Sequence, residues 1–193
     1  MLKRTAARLF LALPLHGIFS REIEHLLSPL REEVPSVRWT EPRKVHVTLH
    51  FFGSVPTKEI EPIDFFSKRI ASLFQPLQLE LGKIGAFPSL ERPDIIWLGI
   101  LENTGRLLSL QRAIQGEVQS LGFKVETRPF QPHATIGRVK WKDKNLAEQL
   151  AKVPCGLPFP TGSADHFVLY QSHCLPEGTR YEVLKTYPLS KKA

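Results

Sequence analysis

The chain has 193 residues, carries 26 Lys and Arg against 19 Asp and Glu, and has a net charge of +7 with a pI near 9.6. That excess favours polyanionic partners, because a cationic surface concentrates phosphate-bearing ligands, although on charge alone a lysine-rich solvated surface explains it equally well. Cys155 and Cys174 are too few for a disulfide framework and lack zinc-ligand spacing; both are expected to be small core or surface residues in a reducing cytoplasm. No run approaches the roughly 18 apolar residues of a membrane span, so no membrane partner is expected. The basic start Met1-Leu2-Lys3-Arg4 ahead of an apolar run has the look of a leader. Pro14 breaks that run, His16 follows, and no small-residue cleavage site is present, so the run reads as a buried strand.

In chain order, residues 8–13 form a strand and 21–33 a helix, with Ile23, Leu26, Leu27 and Leu30 on one face and Ser20 as its N-cap. Residues 45–52 form a strand, and 57–74 a helix with Ile63, Phe66, Ile70 and Phe74 inward, its start delayed by Pro62. A strand over 77–87 ends at Pro88. Then the order repeats. Residues 94–101 are a strand, 107–121 a helix striped by Leu107, Leu110, Ile114, Val118 and Leu121, and 132–139 a strand. A short helix over 144–153, a Pro- and Gly-rich loop over 155–162, and strands over 165–174 and 181–189 complete the chain.

The halves register at a single offset of 87 positions. It carries His46 onto His133, Leu9-Phe10-Leu11 onto Ile96-Trp97-Leu98, and the strand at 77–87 onto 164–174. The expected fold is α+β: one domain over residues 1–193, a duplicated two-lobed β-α-β-α-β body with mainly antiparallel sheets. The lobes divide at approximately 1–90 and 91–193. A central cleft between them is the expected ligand site.

Each half carries a His-x-Thr motif, His46-Val47-Thr48-Leu49 and His133-Ala134-Thr135-Ile136. On a strand, residues i and i+2 share a face about 6.6 Å apart. His46 therefore projects with Thr48 while Val45, Val47, Leu49 and Phe51 face the core, and His133 projects with Thr135. Each pair combines a group that titrates near neutrality with a hydroxyl able to donate to an anionic oxygen. Hydrolysis of a cyclic phosphate needs a base for the attacking water and an acid for the departing oxygen, on opposite sides of phosphorus. Imidazole suits both roles. Two related histidines place one on each side, with the hydroxyls on the non-bridging oxygens.

Other chemistries fit less well. No Asp, Glu or Cys adjoins the motifs to complete a coordination shell, so no metal is expected. A Gly-x-Ser-x-Gly elbow and a Gly-x-x-x-x-Gly-Lys phosphate loop are both absent.

The chain resembles the two-histidine (2H) phosphoesterase superfamily (the LigT-like fold), and within it the bacterial and archaeal RNA 2',3'-cyclic phosphodiesterases, long known as 2'-5' RNA ligases. Carrying the likeness are residues 8–13, Val37-Arg38-Trp39, His46 through Gly53, Gly85-Ala86-Phe87-Pro88, Arg128 through Val139, Val168 through Ser172 and Tyr181 through Leu184. The resemblance implies hydrolysis of RNA 2',3'-cyclic phosphate ends to 2'-phosphomonoesters with no metal and no cofactor. It also implies that His46 is the proton donor and His133 the proton acceptor, roles that the local symmetry does not distinguish. Thr48 and Thr135 would bind phosphate oxygens. Ala134 and Ile136 stand where longer aliphatics are commoner.

Arg138 lies opposite His133 by strict alternation, but a bulge would re-aim it, and the resemblance places a substrate-contacting Arg there. Phe51 occupies the matching place and either stacks on a base or packs in the core. His50 shares the His46 face by alternation. His16, His25, His166 and His173 read as surface or packing residues, and Trp97 as core. The expected partners are RNA ends bearing the cyclic phosphate. A monomer is expected, though no residue pattern reads out oligomeric state. Ligation, the reverse reaction at the same site, and a non-catalytic RNA-end-binding module are the alternatives.

Overall fold

Leu9, Leu11 and Leu13 alternate along the first strand, and in the computed structural model all three are fully buried. The structure describes residues 6–153, 159–176 and 178–190; Cys155 and the first part of the loop expected at 155–162 lie outside them. The strands are β1 (Ala6–Pro14), β2 (Val37–Trp39), β3 (His46–Pro56), β4 (Leu77–Pro88), β5 (Pro93–Leu101), β6 (His133–Val139), β7 (Thr161–Ala164), β8 (His166–Leu175) and β9 (Gly178–Pro188). The helices are α1 (Ser20–Glu33), α2 (Ile60–Leu73), α3 (Arg106–Ser120) and α4 (Leu146–Ala151). Short 3₁₀ turns precede β3 and α2. The sequence does not announce β2, since three residues carry no readable period, and β7 takes residues 161 and 162 from the expected loop.

The architecture is α+β. Every pairing is antiparallel, in the order β7-β4-β5-β6-β3-β1-β8-β9 with β2 beside β6. One face carries the core: Leu11, Val47, Ile96, Leu98, Ala134, Ile136 and Leu169 are buried in one cluster with α1 residues Ile23 and Leu27, α2 residues Ile63 and Phe66, and α3 residues Leu110 and Ile114. The stripes on the helices are therefore spent against the sheet, which leaves its other face open for a site. Ser20 begins α1 without capping it. Its hydroxyl instead accepts from the Gly17 N–H at 2.8 Å, tying down the turn that Gly17 makes at φ +86°.

The strand order corrects the expected division near residue 90. β4 pairs with β5 and β7, while β8 and β9 complete the half built on β1 and β3. Each half of the sheet thus takes strands from both halves of the chain. The single offset of 87 also fails beyond the motif strands. Leu11 stands opposite His50, whereas Ile96 stands opposite Gly137, so β1 and β5 match at 85 positions. Tyr170 opposite Phe10 and Phe87 opposite Ile95 then set the match of β4 and β8 at 83. Residue spacing within one strand is local, but register between strands is set by the partner, and each insertion in a turn or bulge shifts it.

Candidate active site

Antiparallel pairing brings the two motif strands side by side. β3 and β6 pair at one position, Val47 opposite Ala134. Continuing that register sets His46 across from Thr135 and Thr48 across from His133. The four side chains then form a square on one face, with the imidazoles on one diagonal, about 7–8 Å apart at their backbones. Beyond this point the strands part. β2 takes up the edge of β6, with Trp39 opposite Gly137 and the Thr40 N–H donating to Ile136 O at 2.8 Å. Gly137 permits this approach, since a Cβ there would stand 2.6 Å from Val37 Cγ1.

The imidazoles are held alike. His46 Nδ1–H donates to Lys44 O at 2.7 Å, and His133 Nδ1–H donates to Gln131 O at 2.7 Å. A carbonyl only accepts, so in both rings Nδ1 carries the proton and Nε2 is left for chemistry. These partners are themselves related by the motif offset of 87.

Aromatic walls fix the ring planes. Phe10 and Tyr181 stand 5.0 and 5.3 Å from the His46 ring, with Tyr170 stacked on Phe10 at 5.1 Å. Phe87 meets the His133 ring edge-on at 5.0 Å, with Trp97 at 6.1 Å. Trp97 is therefore not core, contrary to what its apolar strand suggests. Its neighbours Ile96 and Leu98 are buried, and it lies on the other face across Gly85, where a Cβ would stand 2.2 Å from the indole.

Burial holds the His46 pKa below the ordinary histidine value; the Lys44 carbonyl partly opposes this, and the nearby His133 charge adds to the depression. Burial pushes the Tyr170 and Tyr181 phenols up, so both remain protonated donors at neutral pH.

Two bulges aim the remaining candidates. Leu49 has no partner between Leu11–His50 and Ala12–Thr48, and Ile136 has none between Ile96–Gly137 and Trp97–Thr135. Each extra residue reverses the alternation that follows. Arg138 consequently lines a cavity of about 240 Å³ together with His46, Thr48, Thr135 and Phe51. Phe51 is 46% exposed, and the Arg8 guanidinium lies 5.0 Å over its ring. His50, by contrast, is turned inward, 8% exposed and packed on Phe52. Strict alternation puts Phe51 inside and His50 with His46; the bulge inverts both.

The residues described around this cavity include the cations Arg8, Lys44 and Arg138 and no carboxylate. His133, the remaining corner of the square, is not among its lining residues and lies toward β5. Sequence reasoning misses Arg8, Phe10, Lys44 and Tyr181. Arg8 and Phe10 are legible as lying on the polar side of β1, but Tyr181 reaches the site only through the β8–β9 hairpin. Among the described residues no three His, Cys, Asp or Glu side chains stand together as a metal-holding group. No described helix is long and apolar enough to cross a membrane.

Paired motif strands at the centre of a duplicated antiparallel sheet, each presenting one histidine and one threonine on the same face, are the fold and arrangement of the two-histidine phosphoesterases. Within them, this chain belongs to the 2'-5' RNA ligase superfamily, whose sequence model matches residues 19–173. It is 32% identical over 93% of its length to the RNA 2',3'-cyclic phosphodiesterase of Methanocaldococcus jannaschii. With the protein of the same name from Archaeoglobus fulgidus it shares 30% identity over 93% of its length, and it covers 99% of each relative. The crystal structure of TT0787 of Thermus thermophilus superposes with a TM-score of 0.79 at 25% identity, covering 94% of this chain and 97% of that one.

Proposed function

We propose that this protein hydrolyses the 2',3'-cyclic phosphodiester at an RNA end to a 2'-phosphomonoester, with His46 as proton donor and His133 as proton acceptor. The observation that carries the reading is the matched pair of Nδ1–H bonds to backbone carbonyls, which leaves both Nε2 atoms for proton transfer on neighbouring strands. The curated relatives carry the name of this activity.

In the reaction His133 Nε2 takes a proton from water as its oxygen bonds to phosphorus. The bond from phosphorus to the 3'-oxygen breaks, and His46 Nε2 protonates that oxygen. The Thr48 and Thr135 hydroxyls donate to the non-bridging oxygens, whose charge persists through the transition state. Arg138 adds a fixed cation, and Phe51 offers a stacking face beside it. Burial favours neutral His46 in the empty site. The phosphate anion reverses that preference, so the acid form is assembled with the substrate. Turnover leaves His46 neutral and His133 charged, and proton exchange with solvent resets the pair.

The protein acts as a monomer in the cytoplasm on this reading. Both motifs come from one chain, and Cys174 is an exposed free thiol suited to a reducing compartment.

The test is product analysis on an oligoribonucleotide ending in a 2',3'-cyclic phosphate, in excess chelator. A 2'-phosphate is expected; a 3'-phosphate, or a strict requirement for added metal, overturns the reading. Supplying a second RNA with a 5'-hydroxyl shows whether that hydroxyl displaces water to form a 2'-5' linkage.

A further inference from the structure

His46 is a wall between two cavities. Besides the 240 Å³ cavity at the four-residue square, it borders a larger one of about 750 Å³, and Lys44, Thr179 and Tyr181 also line both. The two spaces therefore meet along the His46 edge of the site, and His133 borders neither. The larger space has the size of an ordinary ligand site. Its walls combine Arg43, Lys44 and Arg180 with the Tyr170 and Tyr181 rings and the apolar Val168 and Val183. Glu41 also lies there and pairs with Arg43 and Lys44 at 2.6 and 2.5 Å, which offsets one charge. Arg180 is exposed and has no carboxylate within ion-pair distance among the described residues. A cationic trench with aromatic faces is how proteins hold single-stranded nucleic acid, the charges following the phosphates and the rings taking bases. A peptide partner would have to be acidic and would gain little from the half-buried aromatic edges.

We infer that this trench binds the single-stranded RNA lying 5' of the cyclic phosphate, so that the strand leaves the site past His46 and not past His133. The inference rests on the proposed function, because it takes the oxygen departing beside His46 to be the 3'-oxygen of the terminal ribose. In an in-line displacement water enters from the opposite side, next to His133. The ribose that carries the leaving oxygen, and the phosphates before it, must then lie on the His46 side, where the larger cavity opens. Lys44 has a double position there: its carbonyl holds His46 Nδ1, and its side chain faces the strand.

The experiment compares a 2',3'-cyclic mononucleotide with a tetranucleotide carrying the same cyclic end, for the unaltered protein, for Arg180→Glu and for Lys83→Glu. Lys83 is exposed on β4, in the other half of the sheet. Arg180→Glu is expected to raise KM for the tetranucleotide by roughly fivefold to tenfold, the scale of losing one phosphate contact to a repelling charge. Mononucleotide turnover should stay within twofold, and Lys83→Glu should change neither substrate. A null effect of Arg180→Glu, an equal effect on both substrates, or a larger tetranucleotide loss in Lys83→Glu overturns the inference. Absence of hydrolysis of both substrates by the unaltered protein overturns the proposed function itself, so the two failures are told apart.

Discussion

A carbonyl oxygen two residues upstream of each histidine decides what that histidine does. By accepting from Nδ1–H it fixes the tautomer and the ring plane and leaves Nε2 for the proposed proton transfer. In the proposed reaction each ring is a proton-transfer group, and truncating it leaves the strand pairing of its motif in place. His46→Ala or His133→Ala is expected to lower turnover by about 10²–10⁴-fold, with the circular dichroism spectrum unchanged; near-normal rates would remove the acid–base assignment. The depressed His46 pKa has a kinetic consequence. An acid that must be protonated loses activity as pH rises through its pKa, and in the free enzyme that pKa lies below the ordinary value. In the proposed reaction the bound phosphate anion raises it. The basic limb of kcat/KM, which reports the free enzyme, should fall at lower pH than the limb of kcat, which reports the complex. Coincident limbs would mean that substrate does not charge His46.

At the scale of strands, one inserted residue does the work of several substitutions. The Leu49 bulge turns Phe51 to the groove, beside Arg8 of β1, and drives His50 into the core; the Ile136 bulge brings Arg138 around. Burial pulls the His50 pKa from its ordinary 6.5 to about 4. An unfolded chain takes up that proton below pH 6.5 whereas the folded one resists it until about 4, so stability is full above 6.5 and is lost as pH falls across this window. The loss is at most about 3–4 kcal/mol for this one group. Urea unfolding at pH 7 and pH 4.5 should show it, and His50→Leu should remove most of the difference; an equal loss in both proteins would assign it elsewhere. Across the sheet, Gly85 leaves the space that the Trp97 indole fills beside His133. Gly85→Ala would displace the indole and cost about 1–3 kcal/mol of stability. It should also lower turnover with the His133 side chain intact, which thermal melts and initial rates together would reveal.

Taken whole, the molecule sets a positive field around a site whose described lining includes no carboxylate on the phosphate side. Longer RNA neutralises more of those charges than a mononucleotide does and releases more counterions. Raising salt should therefore weaken binding of an oligonucleotide more steeply than binding of a cyclic mononucleotide; equal slopes would limit recognition to the terminal phosphate. Because β4 is exchanged for β8 and β9 between the halves of the sheet, each half depends on both ends of the sequence. Cutting the chain near residue 90 should accordingly yield two fragments that do not fold separately, a result that circular dichroism of each fragment would check.

Alternation and residue chemistry made much of this legible in advance. His46 beside Thr48, His133 beside Thr135, the apolar stripes on three helices and the 87-position spacing of the two motifs are all properties of short stretches, and short stretches carry their own faces with them. The Ser20 contact, the place of Trp97 and the reversal of His50 and Phe51 were not legible in that way, because each depends on what lies opposite. Only tertiary structure decided that β4 and β8 trade sides, that the flanking strands match at 85 and 83 positions, and that Tyr170 and Tyr181 enclose His46. A strand's period is written in its own residues, but its neighbour, its register and its bulges are settled by packing across the whole sheet.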